Sequence, residues 1–162
     1  MSFWRTYYHV VWATKNREPF ITPELEPYLY DYLLGKSHEL EVIVYAIGNW
    51  TDHIHLLVSI PPKLAVASVV KRLKGASSHY IETLGLFEHQ FEWQRGYGVF
   101  TLGETQRGRA EAYVRNQKVH HQNQTTNAWL EKTDEFDDGP PDKGLTVREP
   151  RAIYDIGDDF PF

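Results

Sequence analysis

The 162-residue chain contains no cysteine. That absence excludes disulfides, cysteine-ligated zinc sites and a thiol nucleophile, and it fits a reducing cytoplasm. No apolar run approaches the length of a membrane span. The first residues, Met1-Ser2-Phe3-Trp4-Arg5, pass directly into a strand-like pattern, without the apolar stretch of a signal peptide. A cytoplasmic protein with no membrane partner is therefore expected. A basic excess is also missing, since the formal net charge is −5. The deficit is local, however. Residues 131–162 hold ten acids against four bases, whereas residues 1–130 hold 12 acids against 13 bases. The body is near neutral, and its bases cluster at Lys71, Arg72 and Lys74 and again at Arg107, Arg109, Arg115 and Lys118. Phosphate contact needs such clusters and not a basic total.

One domain is expected over residues 1–130, long enough to bury a core, followed by an acidic tail over 131–162 rich in Asp, Gly and Pro, with little regular structure. The aromatic and β-branched residues 3–15 predict a strand. Thr22-Pro23-Glu24 predicts a helix start with Thr22 as cap, and the helix runs to about His38 with Leu25, Leu29, Tyr32 and Leu33 inward. Strands are predicted over 41–49 and 52–60, and a helix over 63–84 with Val66, Val69, Val70, Leu73, Ser77 and Ile81 near one face. A fourth strand covers 97–102. A polar helix runs from about Thr105 to Asn123, with so few large apolar residues that it reads as a poor core element. Strand, helix, strand, strand, helix, strand is the split βαβ order of an α+β, ferredoxin-like antiparallel sheet, here with an added C-terminal helix.

Two short segments carry the chemistry. In Thr51-Asp52-His53-Ile54-His55-Leu56-Leu57-Val58, strand alternation sends His53 and His55 to one face and Ile54, Leu56 and Val58 to the other. In Tyr113-Val114-Arg115-Asn116-Gln117, helical spacing stacks Gln117 one turn above Tyr113. Two imidazoles, an amide oxygen and a phenol can thus converge. This is a mixed donor set for Mg²⁺ or Mn²⁺ beside a tyrosine nucleophile, the equipment for cutting a phosphodiester through a covalent intermediate. Zinc would ask for a further ligand, and His120-His121 is the best place for one. Lys71, Arg72, Lys74 and Arg115 are candidate phosphate contacts, against the commoner reading of a solvated face. Phe91, Trp93, Tyr97 and Phe100 either stack on bases or fill a core, and at least half are expected in the core.

These residues resemble a known family. His53-Ile54-His55 within Asp-His-Ile-His-Leu-Leu-Val is similar to the histidine–hydrophobic–histidine (HUH) motif of single-tyrosine transposases, the insertion-sequence-200-like and REP-associated tyrosine transposases. Ser59–Lys63, Lys71–Ser78, Trp93–Phe100 and Tyr113–Gln117 follow the family pattern in the same order, over roughly residues 3–130. The resemblance implies His53, His55 and Gln117 as metal ligands. It implies Tyr113 as the nucleophile that attacks single-stranded DNA, leaving a 5′-phosphotyrosine and a free 3′-hydroxyl that later rejoins the strand. It further implies hairpin recognition and a homodimer in which one subunit's tyrosine helix serves the other's histidines. Thr51 departs from the family, where proline is frequent, and the acidic segment lies outside its pattern. The rival expectation is a non-catalytic nucleic-acid-binding module of the same fold. An RNA-binding sheet of that kind would carry exposed aromatics where His53 and His55 stand.

Overall fold

A computed structural model describes residues 2–133. All of the expected acidic tail except residues 131–133 lies outside them. The order is β1 (Tyr8–Ala13), α1 (Glu26–Glu39), β2 (Ile43–Asn49), β3 (His53–Ser59), α2 (Val66–Leu84), β4 (Gly98–Thr101), α3 (Arg107–Arg115) and α4 (Gln117–Gln122). The four strands form one sheet in the order β2-β3-β1-β4, and every pairing is antiparallel. This is the ferredoxin-like α+β fold that the sequence predicts. Among the described residues no helix is long and apolar enough to cross a membrane.

β3 lies inside the sheet and is buried along its whole length. Its alternation divides the molecule. Ile54, Leu56 and Val58 join Val10 and Trp12 of β1 in the main core, under Leu29 and Leu33 of α1 and Val69, Val70, Leu73 and Ile81 of α2. Thr22 serves as the expected cap, its hydroxyl accepting the Leu25 N–H at 3.2 Å, although the regular helix begins only at Glu26. Tyr32 is only part-buried and stacks on Tyr80 of α2 at 4.3 Å. Phe91 and Trp93 also belong to this core, Trp93 standing edge-on to Trp12 at 5.9 Å. Tyr97 and Phe100 stay part-buried.

The opposite face holds the departure from expectation. α3 is not a poor core element: Ala110, Tyr113 and Val114 are all fully buried there, with Ala46, Leu57 and Leu130. Two of these are small or medium residues, so periodicity of large apolar side chains does not reveal the stripe. The enabling feature is on the sheet. A Cβ on Gly48 of β2 would stand 1.7 Å from the Val114 carbonyl oxygen, so the helix backbone rests directly on a strand that presents no side chain there. The single helix expected over 105–123 is also divided. A 3-10 turn at Glu104–Gln106 leads into α3, and Asn116, at φ −96° and ψ 23°, separates α3 from α4. Asn is a residue whose side chain competes with regular helical bonding.

Gly48→Ala should therefore lift α3 from the sheet. Overpacking of this kind costs about 1–3 kcal/mol, and more where backbone is the obstacle. Urea unfolding followed by tryptophan fluorescence should show a clear loss of stability, while Gly35→Ala, with open space around its Cβ position, should not. Equal stability of the two variants would contradict the close contact.

Candidate active site and metal centre

β3 delivers His53 and His55 to the face that α3 covers, as strand alternation requires. Each ring is fixed from behind. His53 Nδ1 is 2.6 Å from Asp52 Oδ1. His55 Nδ1 is 2.7 Å from Nε2 of His9, a fully buried residue of neighbouring β1. Both Nε2 atoms are thereby left facing the α3 side, an arrangement in which the outer contact sets the orientation of a ligating imidazole.

Between them lies a carboxylate that sequence reasoning assigned to the tail. Glu131 Oε2 is 2.9 Å from His53 Nε2 and 3.2 Å from His55 Nε2. Its Oε1 accepts the hydroxyl proton of Tyr113. The Tyr113 oxygen also accepts the Asn127 N–H at 3.0 Å. His53, His55 and Glu131 offer ligand atoms all within 4.8 Å of one another. The return of the chain over the sheet is made possible by Gly98, where a Cβ would lie 2.1 Å from the Lys132 carbonyl oxygen. Leu130 anchors the passage in the second core, and Arg17 donates to Thr133 Oγ1 at 3.0 Å while lying 3.7 Å from Asp52.

Gln117 is buried, and its amide N–H donates to the Tyr113 carbonyl at 3.1 Å. Its Oε1 has no hydrogen-bond partner among the described residues. A buried amide oxygen left unpaired is costly, and a cation ligand position would satisfy it. Two imidazoles held from behind and a carboxylate form a donor set that suits a divalent ion, and the Gln117 oxygen is a candidate further donor. His121 lies nearby too, its Nε2 3.2 Å from His53 Nε2.

The remaining expected site residues are not brought together. Lys71 and Arg72 are exposed on α2, and Lys71 borders a groove of about 710 Å³ with Trp93, Arg95 and Tyr97. Arg115 lies on the other side of the sheet, donating to the Tyr45 carbonyl at 2.7 Å. Lys74 has a structural occupation: it is buried, and its ammonium donates to the carbonyls of Gln94, Arg95 (2.8 Å) and Gly96 (3.0 Å). Three carbonyls take the three donors of an ammonium, which removes Lys74 from the free basic surface expected from its sequence cluster. The tyrosine helix, expected to serve a partner, rests here against its own chain's histidines, with the Tyr113 and His55 ring centres 6.0 Å apart.

Electrostatics separates the two histidines of β3. Burial, only partly offset by Glu131, brings His55 down to about 4. Burial also opposes charge on His53, but hydrogen bonds from Asp52 and Glu131 win and raise it. For Glu131, burial works upward, yet the hydrogen bonds of His121, His53 and His55 hold the carboxyl well below its usual range. Burial pushes the Tyr113 phenol up, and the Glu131 charge adds to the shift. The stability contributed by neutral His55 is present above about pH 6.5 and is lost as pH falls toward about 4, amounting to at most about 3 kcal/mol. His53 acts in the opposite sense, its contribution present below about 6.5 and lost as pH rises through its folded value. In EDTA the urea midpoint should therefore fall between pH 6.5 and 4, and less steeply for His55→Gln than for the parent. Identical slopes would contradict a buried, neutral His55.

Residues 2–117 match the family described as "Transposase IS200 like". The chain is 32% identical over 117 residues to the ISDra2 transposase TnpA of Deinococcus radiodurans, covering 68% of this chain and 82% of that protein. It is 31% identical over 119 residues to the transposase for insertion sequence element IS200 of Salmonella typhimurium, covering 70% and 78%. A crystal structure of a candidate transposase from Deinococcus radiodurans superposes with a TM-score of 0.59 at 28% identity, over 72% of this chain and 95% of that one. A REP-associated tyrosine transposase bound to a REP hairpin shares the fold, with a TM-score of 0.57 at 17% identity over 80% and 76% of the two chains. With the family pattern spanning more than half of its length, the chain belongs to the IS200-like transposases.

Proposed function

We propose that this transposase nicks and rejoins single-stranded DNA through a 5′-phosphotyrosine at Tyr113, with a divalent cation, Mg²⁺ or Mn²⁺, held by His53, His55 and Gln117. One observation carries the reading. The two oxygens of a single carboxylate, Glu131, touch the Tyr113 hydroxyl on one side and both histidine Nε2 atoms on the other, so the nucleophile and the ligand atoms lie within one side chain's width.

In the cutting step the Tyr113 oxygen bonds to phosphorus while the bond from phosphorus to the 3′-oxygen breaks. The phenol gives up its proton and the departing 3′-oxygen gains one. Rejoining reverses the exchange, so strand energy is conserved without a nucleotide cofactor. The ion, when bound, supplies positive charge that draws electron density from the scissile phosphate. The chain's own residues do the rest. Asp52 and His9 fix the ligand rings, and α3 sets the height of the phenol over the sheet. Tyr113 is fully buried, so DNA binding has to uncover its hydroxyl before a phosphate reaches it.

The substrate class follows from shape and charge. The fold offers a sheet with grooves and no reading helix for a major groove, which favours unpaired strand beside a short hairpin. Lys71, Arg72 and Arg115 are the proposed phosphate contacts, and Lys74 supports them by bracing the 94–96 loop. A homodimer remains part of the reading, and each subunit has a tyrosine beside its own histidines.

Incubation with Mn²⁺ and hairpin-bearing single-stranded DNA should give a protein–DNA adduct that survives SDS. Tyr113→Phe should abolish it and bind DNA within about twofold of the parent, because only the nucleophilic oxygen is removed. EDTA and His53→Ala should each lower cleavage by on the order of a hundredfold or more. A normal adduct yield from Tyr113→Phe would contradict the assignment, and hairpin binding by the parent with no adduct under any divalent ion would favour a binding module.

A further inference from the structure

We propose that His121 ligates the same cation as His53 and His55, and that its nitrogen makes the centre one for a first-row transition-metal ion in preference to Mg²⁺. The inference rests on the metal-dependent reading above.

His121 lies on α4, four residues after Gln117, so both project from the same side of that short helix. Its Nε2 is 3.2 Å from His53 Nε2 and 3.7 Å from Glu131 Oε2. Ligand atoms bonded to one ion at about 2.1 Å stand roughly 3.0–3.4 Å apart when adjacent. The His53–His121 separation falls in that range, as does the 3.2 Å between His55 Nε2 and Glu131 Oε2, while His53–Glu131 at 2.9 Å and His121–Glu131 at 3.7 Å lie just below and just above it. The His121 ring does not choose its orientation freely. It stacks on Trp50, with centres 4.9 Å apart and planes within 7°. Trp50 belongs to the turn between β2 and β3, and its N–H donates to the His53 carbonyl at 3.0 Å. The turn that presents His53 thus also fixes the plane in which His121 approaches it.

The chemistry of the set follows. Three imidazoles beside the oxygens of Glu131 and Gln117 give a set in which nitrogen is the majority, favoured by Mn²⁺, Fe²⁺, Co²⁺ and Zn²⁺. Mg²⁺ prefers oxygen ligands and retains its water. With two histidines and an amide the site discriminates weakly, and the third imidazole tilts it toward the transition metals.

The test uses the full chain stripped of metal and titrated with Co²⁺ by visible absorption, and with Zn²⁺ and Mg²⁺ by calorimetry. His121→Phe keeps a flat ring against Trp50 and removes the nitrogen. The parent should bind Co²⁺ on the order of a hundredfold more tightly than Mg²⁺. His121→Phe should weaken Co²⁺ binding by on the order of tenfold or more and move its visible band, with Mg²⁺ affinity changed by less than about twofold. His121→Ala should show the same loss, which separates a missing ligand from an obstructing ring. Parent-like Co²⁺ affinity and spectrum in both His121 variants, with the ion lost in His53→Ala, would overturn the role of His121 alone. Undiminished Co²⁺ binding in His53→Ala would overturn the metal centre and this inference with it. Equal affinity of the parent for Co²⁺ and Mg²⁺ would overturn the stated metal preference.

Discussion

The carboxylate of Glu131 joins the strand that carries the histidines to the helix that carries the tyrosine. One oxygen binds the imidazoles of β3 and the other the phenol of α3. Removing a carboxylate from water costs several kcal/mol, and only close, charge-assisted partners repay it. Here three histidines and a tyrosine supply those partners, and the carboxyl is held ionised by them in spite of its burial. Everything nearby serves that placement. Leu130 anchors the residue before it in the second core, Gly98 leaves room for the residue after it, and Arg17 ties down Thr133.

The sheet has two faces with different work. The face under α1 and α2 is an ordinary apolar core, built on Trp12, Ile54, Leu56 and Leu73. The face under α3 is small and mostly polar at its centre, with His9, His53, His55, Gln117 and Tyr113 all buried. Buried polar groups of this density are stable only as a connected network, since each unpaired member carries its full desolvation cost. The one ligand-type oxygen in this group without a partner is that of Gln117. A network of this kind holds its side chains at fixed distances, as catalysis by positioning requires of a scaffold.

Strand order and the partition of β3 were legible because alternation is a strong local signal, and Ile54 and Leu56 are large enough to mark the core face. Thr22 was legible as a cap for the same local reason. The seating of α3 was not. Its stripe is Ala110, Tyr113 and Val114, and what lets it approach is Gly48, more than sixty residues earlier, a pairing that no local pattern contains. Glu131 was hidden by its company, one acid at the head of a strongly acidic segment. His9 was hidden because a strand histidine is usually only a polar face residue. Lys74 misled in the opposite direction: its neighbours Lys71 and Arg72 suggested a basic surface, but its position beside Leu73 and Ser77 turns it inward to the carbonyls of residues 94–96.

The central claim is that one tyrosine, held over the His53–His55 pair, forms the covalent link to DNA. The chain has ten tyrosines, nine of them other than Tyr113. Mass spectrometry of a trypsin-digested, nuclease-trimmed adduct measures it directly. The nucleotide remnant should reside on the Ala110–Arg115 peptide, with fragment ions placing it on Tyr113. A remnant on a peptide containing any other tyrosine would contradict the account.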